Sequence, residues 1–155
     1  VSDKIVNKLL VQSITNLKFR DRIIFDGYPR NVDQAKNLDM ILDKFEQKIG
    51  HIIFLNVSKE IIEKRIMGRM TCEKCNMTFN EFFNKKQIEL HPCGKEFLKK
   101  REDDSLDVVV ARYETYMKTT KPVLDFYSKN ANFTEIDGAA EIEQITNKIN
   151  AVLNV

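Results

Sequence analysis

Cysteine, long apolar stretches and an excess of one charge are all scarce in this sequence. The three cysteines are an odd number, and Asp3 and Lys4 stand where a secretory signal would need apolar residues. A disulfide framework is therefore not expected, and the chain is interpreted as cytoplasmic. The longest apolar runs, such as Ile52–Leu55, have four residues, so no membrane span is expected.

The charge balance and the apolar content indicate a compact globular chain. Its 25 basic and 23 acidic side chains nearly cancel, which leaves a formal charge of +2. This balance argues against an acidic tail protein, and it lacks the basic excess that is typical of nucleic-acid binding. With 43% hydrophobic residues, 155 residues are enough for one unit with a buried core.

The pattern along the chain alternates short apolar strands with amphipathic helices. The predicted strands are 22–25, 51–57 and 133–137. The predicted helices run from an N-cap at Ser2 or Asp3 to Leu17, from Asn31 to Gly50, from Ser58 to about Met67, from Ser105 to Tyr127 with a kink at Pro122, and from Ala139 to Leu153. Strands that alternate with helices predict an α/β fold with a parallel sheet.

Residues 70–100 have a different character from the rest of the chain. The helical periodicity fades there, all three cysteines appear, and four phenylalanines stand among polar residues. From Arg69 to Arg101 there are eight basic and four acidic residues, a local charge of +4. We predict an inserted subdomain at 70–100 between two parts of a core, 1–69 and 101–155.

The segment Asp26–Arg30, which reads Asp-Gly-Tyr-Pro-Arg, follows the first predicted strand, and Gln34 comes four residues later. Ligands of parallel α/β folds bind at the carboxyl ends of strands. The carboxylate can hold a hydrated Mg²⁺, the glycine lets a ligand approach the backbone, and the arginine can form a fork with a phosphate. The alternative is an ordinary strand-to-helix turn with a surface salt bridge.

Four further arginines flank the insertion. Arg65 and Arg69 are four residues apart and share one helix face, Arg101 precedes two aspartates, and Arg112 lies inside the next predicted helix. Singly, each is typical of a solvated surface. Together they favour a polyphosphate ligand that several guanidinium groups bind at once.

These pieces, in this order, resemble the adenylate kinase family. The resemblance covers essentially the whole chain and includes the Asp26–Arg30 turn, the insertion as the family's lid, the Arg101–Asp104 segment and a closing Asp137-Gly138. It implies a P-loop nucleoside monophosphate kinase fold and reversible phosphoryl transfer in which Mg·ATP and AMP give two ADP. It also implies nucleotides as the partners, neither a membrane nor nucleic acid, and a monomer at full length.

Site residues follow from the resemblance position by position. The positions that match the family's AMP contacts are Val1, Gly27, Tyr28, Pro29, Arg30, Gln34, Arg101 and Arg112. The positions that match its ATP contacts are Arg65, Arg69, Thr78, Phe79 and Ala140. Asp26 matches the residue that orients the waters of magnesium, and Arg30, Arg101 and Arg112 join it as the expected catalytic residues.

One part of the family pattern does not occur in the sequence. The family opens with a strand and a Gly-x-x-x-x-Gly-Lys phosphate loop, and the five glycines here, at 27, 50, 68, 94 and 138, have no such spacing. We therefore expect that the chain is a fragment whose first part is missing or unrecorded. These 155 residues alone are then expected to be inactive.

The cysteine spacing resembles the zinc ribbon found in the lids of many bacterial adenylate kinases. Cys72 and Cys75 form a Cys-x-x-Cys pair, and Cys93 aligns with the family's fourth ligand. Leu90 stands where another ligand would be, so His91 is the nearest donor, ahead of Glu96 and Glu89. Structural zinc is the expectation, and free cysteines in a degenerate lid are the alternative.

Other functional classes remain open at this point. A UMP/CMP kinase shares the Asp26–Arg30 turn, although the thirty-one residues between Arg69 and Arg101 favour the long-lid adenylate kinases. A zinc-ribbon binding module could use its aromatic and basic residues on nucleic acid. A fragment with no catalysis is the third alternative.

Overall fold

The computed structural model describes residues 3–16, 18–19 and 22–154. Its helices are α1 (Asp3–Ile14), α2 (Val32–Lys44), α3 (Lys59–Met67), α4 (Lys85–Glu89), α5 (Leu106–Thr115), α6 (Lys121–Tyr127) and α7 (Ile142–Leu153). Its strands are β1 (Ile52–Asn56), β2 (Arg69–Cys72), β3 (Thr78–Asn80), β4 (Leu98–Lys99) and β5 (Phe133–Asp137). A 3₁₀ turn, Lys95–Phe97, precedes β4, and a π-helical turn, Tyr116–Thr120, joins α5 to α6.

Strands β1 and β5 pair with each other. The N–H of Ile52 donates to the carbonyl oxygen of Asn132 at 3.0 Å, and the N–H of Gly138 donates to that of Asn56 at 2.8 Å. The first bond joins the starts of the two strands and the second joins their ends, so the strands run parallel. The predicted α/β fold with a parallel sheet is confirmed.

Helix α2 packs through two faces. Asn31 caps it, because its side chain accepts the N–H of Gln34 at 2.8 Å. Leu38 and Leu42 pack with Ile14 and neighbouring apolar residues. Ala35, one turn earlier, packs with a second cluster of residues, Val123, Tyr127, Ile49, Ile52, Phe126 and Phe133. Full burial of a leucine is worth about 1.5–3 kcal/mol, so α2 is held mainly by these contacts.

The predicted insertion contains an antiparallel sheet in the order β3-β2-β4. Met70 lies opposite Phe79, and Thr71 lies opposite Thr78 on one side and Lys99 on the other. Strands this short are marginal on their own, so this sheet depends on what packs around it.

The chain divides into two compact units. The first comprises Val1–Leu55, Thr115–Ile136 and Ile142–Val155, and the second comprises Asn56–Glu114 and Asp137–Glu141. Residues 70–100 lie wholly in the second unit, which also contains α3 and all of α5 except Thr115. The finer division into 1–69, 70–100 and 101–155 stays a prediction.

Four sequence predictions about secondary structure are wrong. The first helix ends at Ile14, three residues before the predicted end at Leu17. Residues 22–25 form no strand, because no other described segment pairs with them. They keep only the strand-like alternation of side chains: Ile23 and Phe25 pack inward, and Ile24 is 92% exposed. The second helix ends at Lys44 instead of Gly50, and Glu46 takes a left-handed conformation with φ 56°. The last helix begins at Ile142 instead of Ala139, since Asp137 Oδ1 accepts the N–H of Ala139 at 2.9 Å and holds a turn there.

Other predictions are confirmed, and some fall outside the described residues. Strand β5 has the predicted bounds, and the kink expected at Pro122 is the π-helical turn that ends two residues before it, at Thr120. Val1, Ser2 and Leu17 lie outside the described residues. Among the helices that the structure describes, none combines the length and the apolar character that crossing a membrane requires.

Candidate active site

The Asp26–Arg30 turn is closed by its own arginine. Arg30 Nε donates to the carbonyl oxygen of Gly27 at 2.6 Å. Gly27 has φ 69°, a conformation that favours glycine, and a Cβ there would lie 3.1 Å from Arg30 Nη2. Glycine is therefore needed both for the backbone conformation and for the approach of the guanidinium.

Gln34 and Tyr28 fix the same turn from the side of α2. Gln34 Oε1 accepts the N–H of Arg30 at 2.8 Å, and the Tyr28 hydroxyl donates to the carbonyl oxygen of Gln34 at 3.3 Å. Tyr28 also packs beside the core cluster of Ile14, Leu38 and Leu42. The structure thus brings Gly27–Arg30 and Gln34 together as predicted, while Asp26 is exposed at the start of the turn.

Arg69 and Asp104 form a bidentate pair in the second unit. Arg69 Nε donates to Oδ2 of Asp104 at 3.0 Å, and Nη2 donates to Oδ1 at 2.7 Å. The Asp104 side chain is fully buried, whereas that of Arg69 is 32% exposed. Hydrogen bonding to Asp104 raises the pKa of Arg69, so the guanidinium stays charged.

Asp103, the neighbouring carboxylate, lies between two other arginines. Arg112 Nη2 is 2.8 Å from its Oδ2, and Arg101 Nε is 3.2 Å from its Oδ1. The hydrogen bond from Arg112, with the charges of Arg101 and Arg112, holds the pKa of Asp103 below its ordinary value. Two adjacent aspartates therefore gather three of the predicted arginines, and all five residues belong to the second unit.

The other predicted nucleotide contacts have more varied surroundings. Arg65 is exposed in the last turn of α3, and its carbonyl oxygen accepts Nδ2 of Asn80 at 2.9 Å. Thr78 is exposed on β3, but the Phe79 side chain is buried, so a nucleotide could reach only the backbone of Phe79. Ala140 lies partly exposed in the turn between β5 and α7.

The predicted metal ligands do converge. Cys72, Cys75, His91 and Cys93 each offer one ligand atom, and these four atoms lie within 4.8 Å of one another. The sequence had also left Glu89 and Glu96 as candidates, and neither belongs to the group. Leu90, in the position of the family's remaining ligand, is 82% exposed.

Local backbone structure positions each of these four side chains. Cys72 ends β2, and its N–H and carbonyl bond Met77 and Asn76, which closes a tight turn around Cys75. His91 is buried after α4, where its ring meets the edge of Phe79 with centroids 4.8 Å apart. Its Nε2 lies 3.7 Å from Sγ of Cys75, so this nitrogen faces the cluster.

The protonation of the thiols reflects their crowding. Burial raises the pKa of Cys72, but hydrogen bonds from His91 and from the backbone N–H groups of Cys75 and Lys74 outweigh it and lower the pKa to about 6. Burial raises the pKa of Cys93 to about 11, with added contributions from the other two thiols. Three sulfurs and one imidazole in a tight group are the donor set that suits Zn²⁺, whose charge would favour all three thiolates.

A family model described as "Adenylate kinase" matches residues 1–132. The chain belongs to the adenylate kinase family. It is 76% identical over 155 residues to the adenylate kinase of Pelagibacter ubique (strain HTCC1062), covering 100% of this chain and 73% of that protein. It is 39% identical over 157 residues to that of Mycoplasma mycoides, with 100% and 73% covered, and 41% identical over 153 residues to that of Fusobacterium nucleatum, with 99% and 71% covered.

Membership in the adenylate kinase family confirms the resemblance that the sequence carried. The function is that of a nucleoside monophosphate kinase, which is a phosphotransferase, and the fold is the P-loop kinase fold. Membership in this family implies nucleotide substrates.

The sequence alone does not predict which carboxylates the arginines of this chain bind. Asp103 and Asp104 belong to the Arg101–Asp104 segment of the resemblance, and within that segment the resemblance implies a role only for Arg101. The signal in the sequence is a pair of consecutive aspartates directly after a segment rich in basic residues. Nor does the sequence predict the contacts of Asn80, whose side chain bonds the carbonyl oxygens of Lys64 and Arg65, at the end of α3.

Proposed function

We propose that Arg69, Arg101 and Arg112 bind the phosphate groups of ATP and AMP and stabilise the phosphoryl group during its transfer. The observation that carries this proposal is the grouping of three guanidinium groups on Asp103 and Asp104. A carboxylate and a phosphate are recognised by the same planar guanidinium fork. The aspartates therefore gather and orient these guanidinium groups.

The ATP side of the proposal uses further residues of the second unit. Arg65 contributes charge to the ATP phosphates, and the exposed Thr78 with the backbone of Phe79 and Ala140 lies against the nucleotide. The Phe79 side chain packs on His91 and cannot contact the nucleotide. It therefore supports the nucleotide site only by holding β3 in position. These roles are carried over from the family by position.

The AMP side uses the turn in the first unit. The Gly27–Arg30 backbone and Gln34 bind AMP, Arg30 binds its phosphate, and Asp26 orients the waters of the magnesium that arrives with ATP. Arg30 can do this because its Nη groups lie beyond the Nε that bonds Gly27. Val1, the remaining AMP position, lies outside the described residues.

Catalysis then depends on position and charge. Phosphoryl transfer needs no covalent intermediate on the protein; in-line placement of the two nucleotides and neutralisation of charge on the transferred group suffice. In related enzymes one arginine on that charge contributes roughly 10³ to 10⁵ in rate. Arg101 and Arg112 are the groups proposed for this role.

The four-residue cluster of Cys72, Cys75, His91 and Cys93 is proposed to hold a structural Zn²⁺. A bound zinc would serve as a tetrahedral cross-link and would leave no open position for chemistry. The cysteines and the histidine would connect the β2–β3 turn to the segment after α4. Arg69 is the first residue of β2. By ordering this small sheet, zinc would therefore also fix the backbone position of Arg69.

The experiment for the proposed function is an acceptor panel. The intact gene product is assayed with Mg·ATP and each of AMP, UMP, CMP and GMP. We expect AMP to be the preferred acceptor and ADP to be the product from both nucleotides. Preference for UMP or CMP would support the UMP/CMP alternative, and binding of nucleic acid without phosphotransfer would support a binding module.

A further inference from the structure

The helix that follows Arg112 is interrupted by the π-helical turn. There the N–H of Lys121 donates to the carbonyl oxygen of Tyr116, five residues earlier, where an α-helix would use the fourth. Pro122 explains the change: it has no N–H to donate, and its ring needs space beside the carbonyl of Lys118. The widened turn thus follows from one proline.

Two consecutive threonines in this turn make different contacts. The hydroxyl of Thr119 donates to the carbonyl oxygen of Thr115 at 2.7 Å, within its own helix. The hydroxyl of Thr120 donates to the carbonyl oxygen of Arg30 at 3.0 Å, ninety positions away in the sequence. Only Thr120 leaves the helix to reach the Asp26–Arg30 turn, and both threonines belong to the first unit.

This bond completes the fixation of Arg30. Its N–H is bound by Gln34 Oε1, its Nε is bound to the carbonyl of Gly27, and its own carbonyl is bound by Thr120. Gln34 and Gly27 lie within four residues of Arg30. Thr120 ties the Arg30 carbonyl to an element distant in the sequence, and the peptide it holds leads directly into the cap of α2 at Asn31.

We infer that Thr120 is a positioning residue for the acceptor nucleotide. It holds the Arg30 carbonyl, and through it the backbone and guanidinium that meet AMP, while touching no substrate itself. This inference rests on the proposed AMP role of the turn. Its energetic basis is one solvent-accessible hydrogen bond, worth about 0.5–1.5 kcal/mol, so its loss corresponds to roughly a 2- to 10-fold effect.

The test compares Thr120→Val with Thr120→Ser in the intact gene product. Valine keeps the shape of threonine and loses the donor, whereas serine keeps the donor. We expect Thr120→Val to raise the KM for AMP about 2- to 10-fold, with the KM for ATP changed less than about twofold. Thr120→Ser should keep the KM for AMP near the parent value. If Thr120→Val folds poorly, Thr120→Ala serves as the second variant without the donor and should raise the KM for AMP by a similar factor.

Thr119→Val is the matched control, because it removes a hydroxyl that bonds only within its helix. We expect it to leave both KM values unchanged. An unchanged KM for AMP in Thr120→Val, an equal rise in both KM values, or failure of serine to restore AMP binding would each overturn the inference. Arg30→Lys distinguishes a failure of this inference from a failure of the proposed function. An unaltered KM for AMP in Arg30→Lys would contradict the AMP role of the turn. A raised KM for AMP in Arg30→Lys, together with a normal KM for AMP in Thr120→Val, would contradict only the role of Thr120.

Discussion

Arg69 and Asp104, thirty-five positions apart, meet through two nearly parallel N–H···O bonds of 3.0 and 2.7 Å. Arg69 begins β2, and Asp104 stands just before α5. Because the carboxylate is fully buried, it depends on this partner to compensate its charge. The pair therefore joins the two ends of the inserted segment and also fixes the orientation of a guanidinium that the proposed site needs.

Asp104→Asn should destabilise the protein and weaken ATP binding. The amide cannot accept both bonds and leaves Arg69 without its counter-charge. Breaking a buried ion pair costs about 3–5 kcal/mol, and the loss here should reach no more than about 3 because Arg69 is partly exposed to water. Thermal unfolding and the KM for ATP measure the two effects.

Asp103→Asn is the control for that variant. Its side chain is partly exposed and bonds Arg101 and Arg112 instead, so its replacement should cost less stability. Equal destabilisation by the two variants would show that the bidentate pair has no special structural role.

Substitution of Arg30, Arg101 or Arg112 by lysine should lower turnover strongly in the intact gene product. Lysine keeps the charge but not the planar fork. Since an arginine on the transferred group contributes roughly 10³ to 10⁵ in rate, we expect Arg101→Lys and Arg112→Lys to lose at least about 100-fold in turnover, with little change in melting temperature. Arg30→Lys should also lower turnover, because the acceptor phosphate would be misplaced for in-line transfer. Arg22→Lys, an exposed arginine outside the proposed site, is the control. Near-normal turnover in all three variants would contradict the residue assignment.

The elements that the sequence predicted well are those with strong local signals. Asn31 caps α2 as expected, and Pro122 marks the interruption between α5 and α6, because caps and prolines act through neighbouring backbone atoms. The strand expected at 22–25 failed because a strand requires a hydrogen-bonding partner, which no local pattern supplies.

The site shows the same division. The convergence of His91 with three cysteines was predictable from donor chemistry and from spacing within twenty-two residues. The pairing of Asp104 with Arg69 and of Thr120 with Arg30 was not, because both depend on how distant segments pack. Charge alone indicated anion binding but could not say which carboxylate holds which arginine.

If zinc occupies the four-residue cluster, the purified protein should contain about one Zn²⁺ per chain. Structural zinc can be worth on the order of 10 kcal/mol or more to a small domain. Chelation should therefore increase amide hydrogen exchange in residues 70–100 more than elsewhere, because the short strands β2–β4 have little other support. A metal-free protein with an equally protected segment would contradict the zinc proposal.

His91→Ala tests the histidine ligand directly. We expect lower zinc content, or a clear loss of zinc affinity in competition with a chelator. The only other histidine, His51, is exposed in the first unit, so His51→Ala should retain zinc normally. Unchanged zinc binding by His91→Ala would instead favour a carboxylate such as Glu89 or Glu96, or water.

Ionisation of Asp39 should lower the free energy of unfolding as the pH rises from about 3.8 through the raised pKa of this carboxyl. Burial raises the pKa of Asp39 above its ordinary value of 3.8, and the hydrogen bond from Tyr127, 3.0 Å long, opposes this only in part. The folded state therefore holds this proton more tightly than the unfolded chain does. The resulting stabilisation is present below pH 3.8 and is lost as the pH rises through the raised pKa.

Asp39→Asn should remove this dependence, because the amide stays neutral and its oxygen still accepts the Tyr127 hydroxyl. Urea unfolding is measured at several pH values between about 3.5 and 7. We expect the free energy of unfolding of Asp39→Asn to increase relative to that of the parent protein as the pH rises. Asp43→Asn, one helical turn along and exposed, should follow the parent curve. Parallel pH dependences of the free energy of unfolding in Asp39→Asn and Asp43→Asn would contradict this prediction. They would mean that Asp39 binds its proton equally tightly in the folded and the unfolded state.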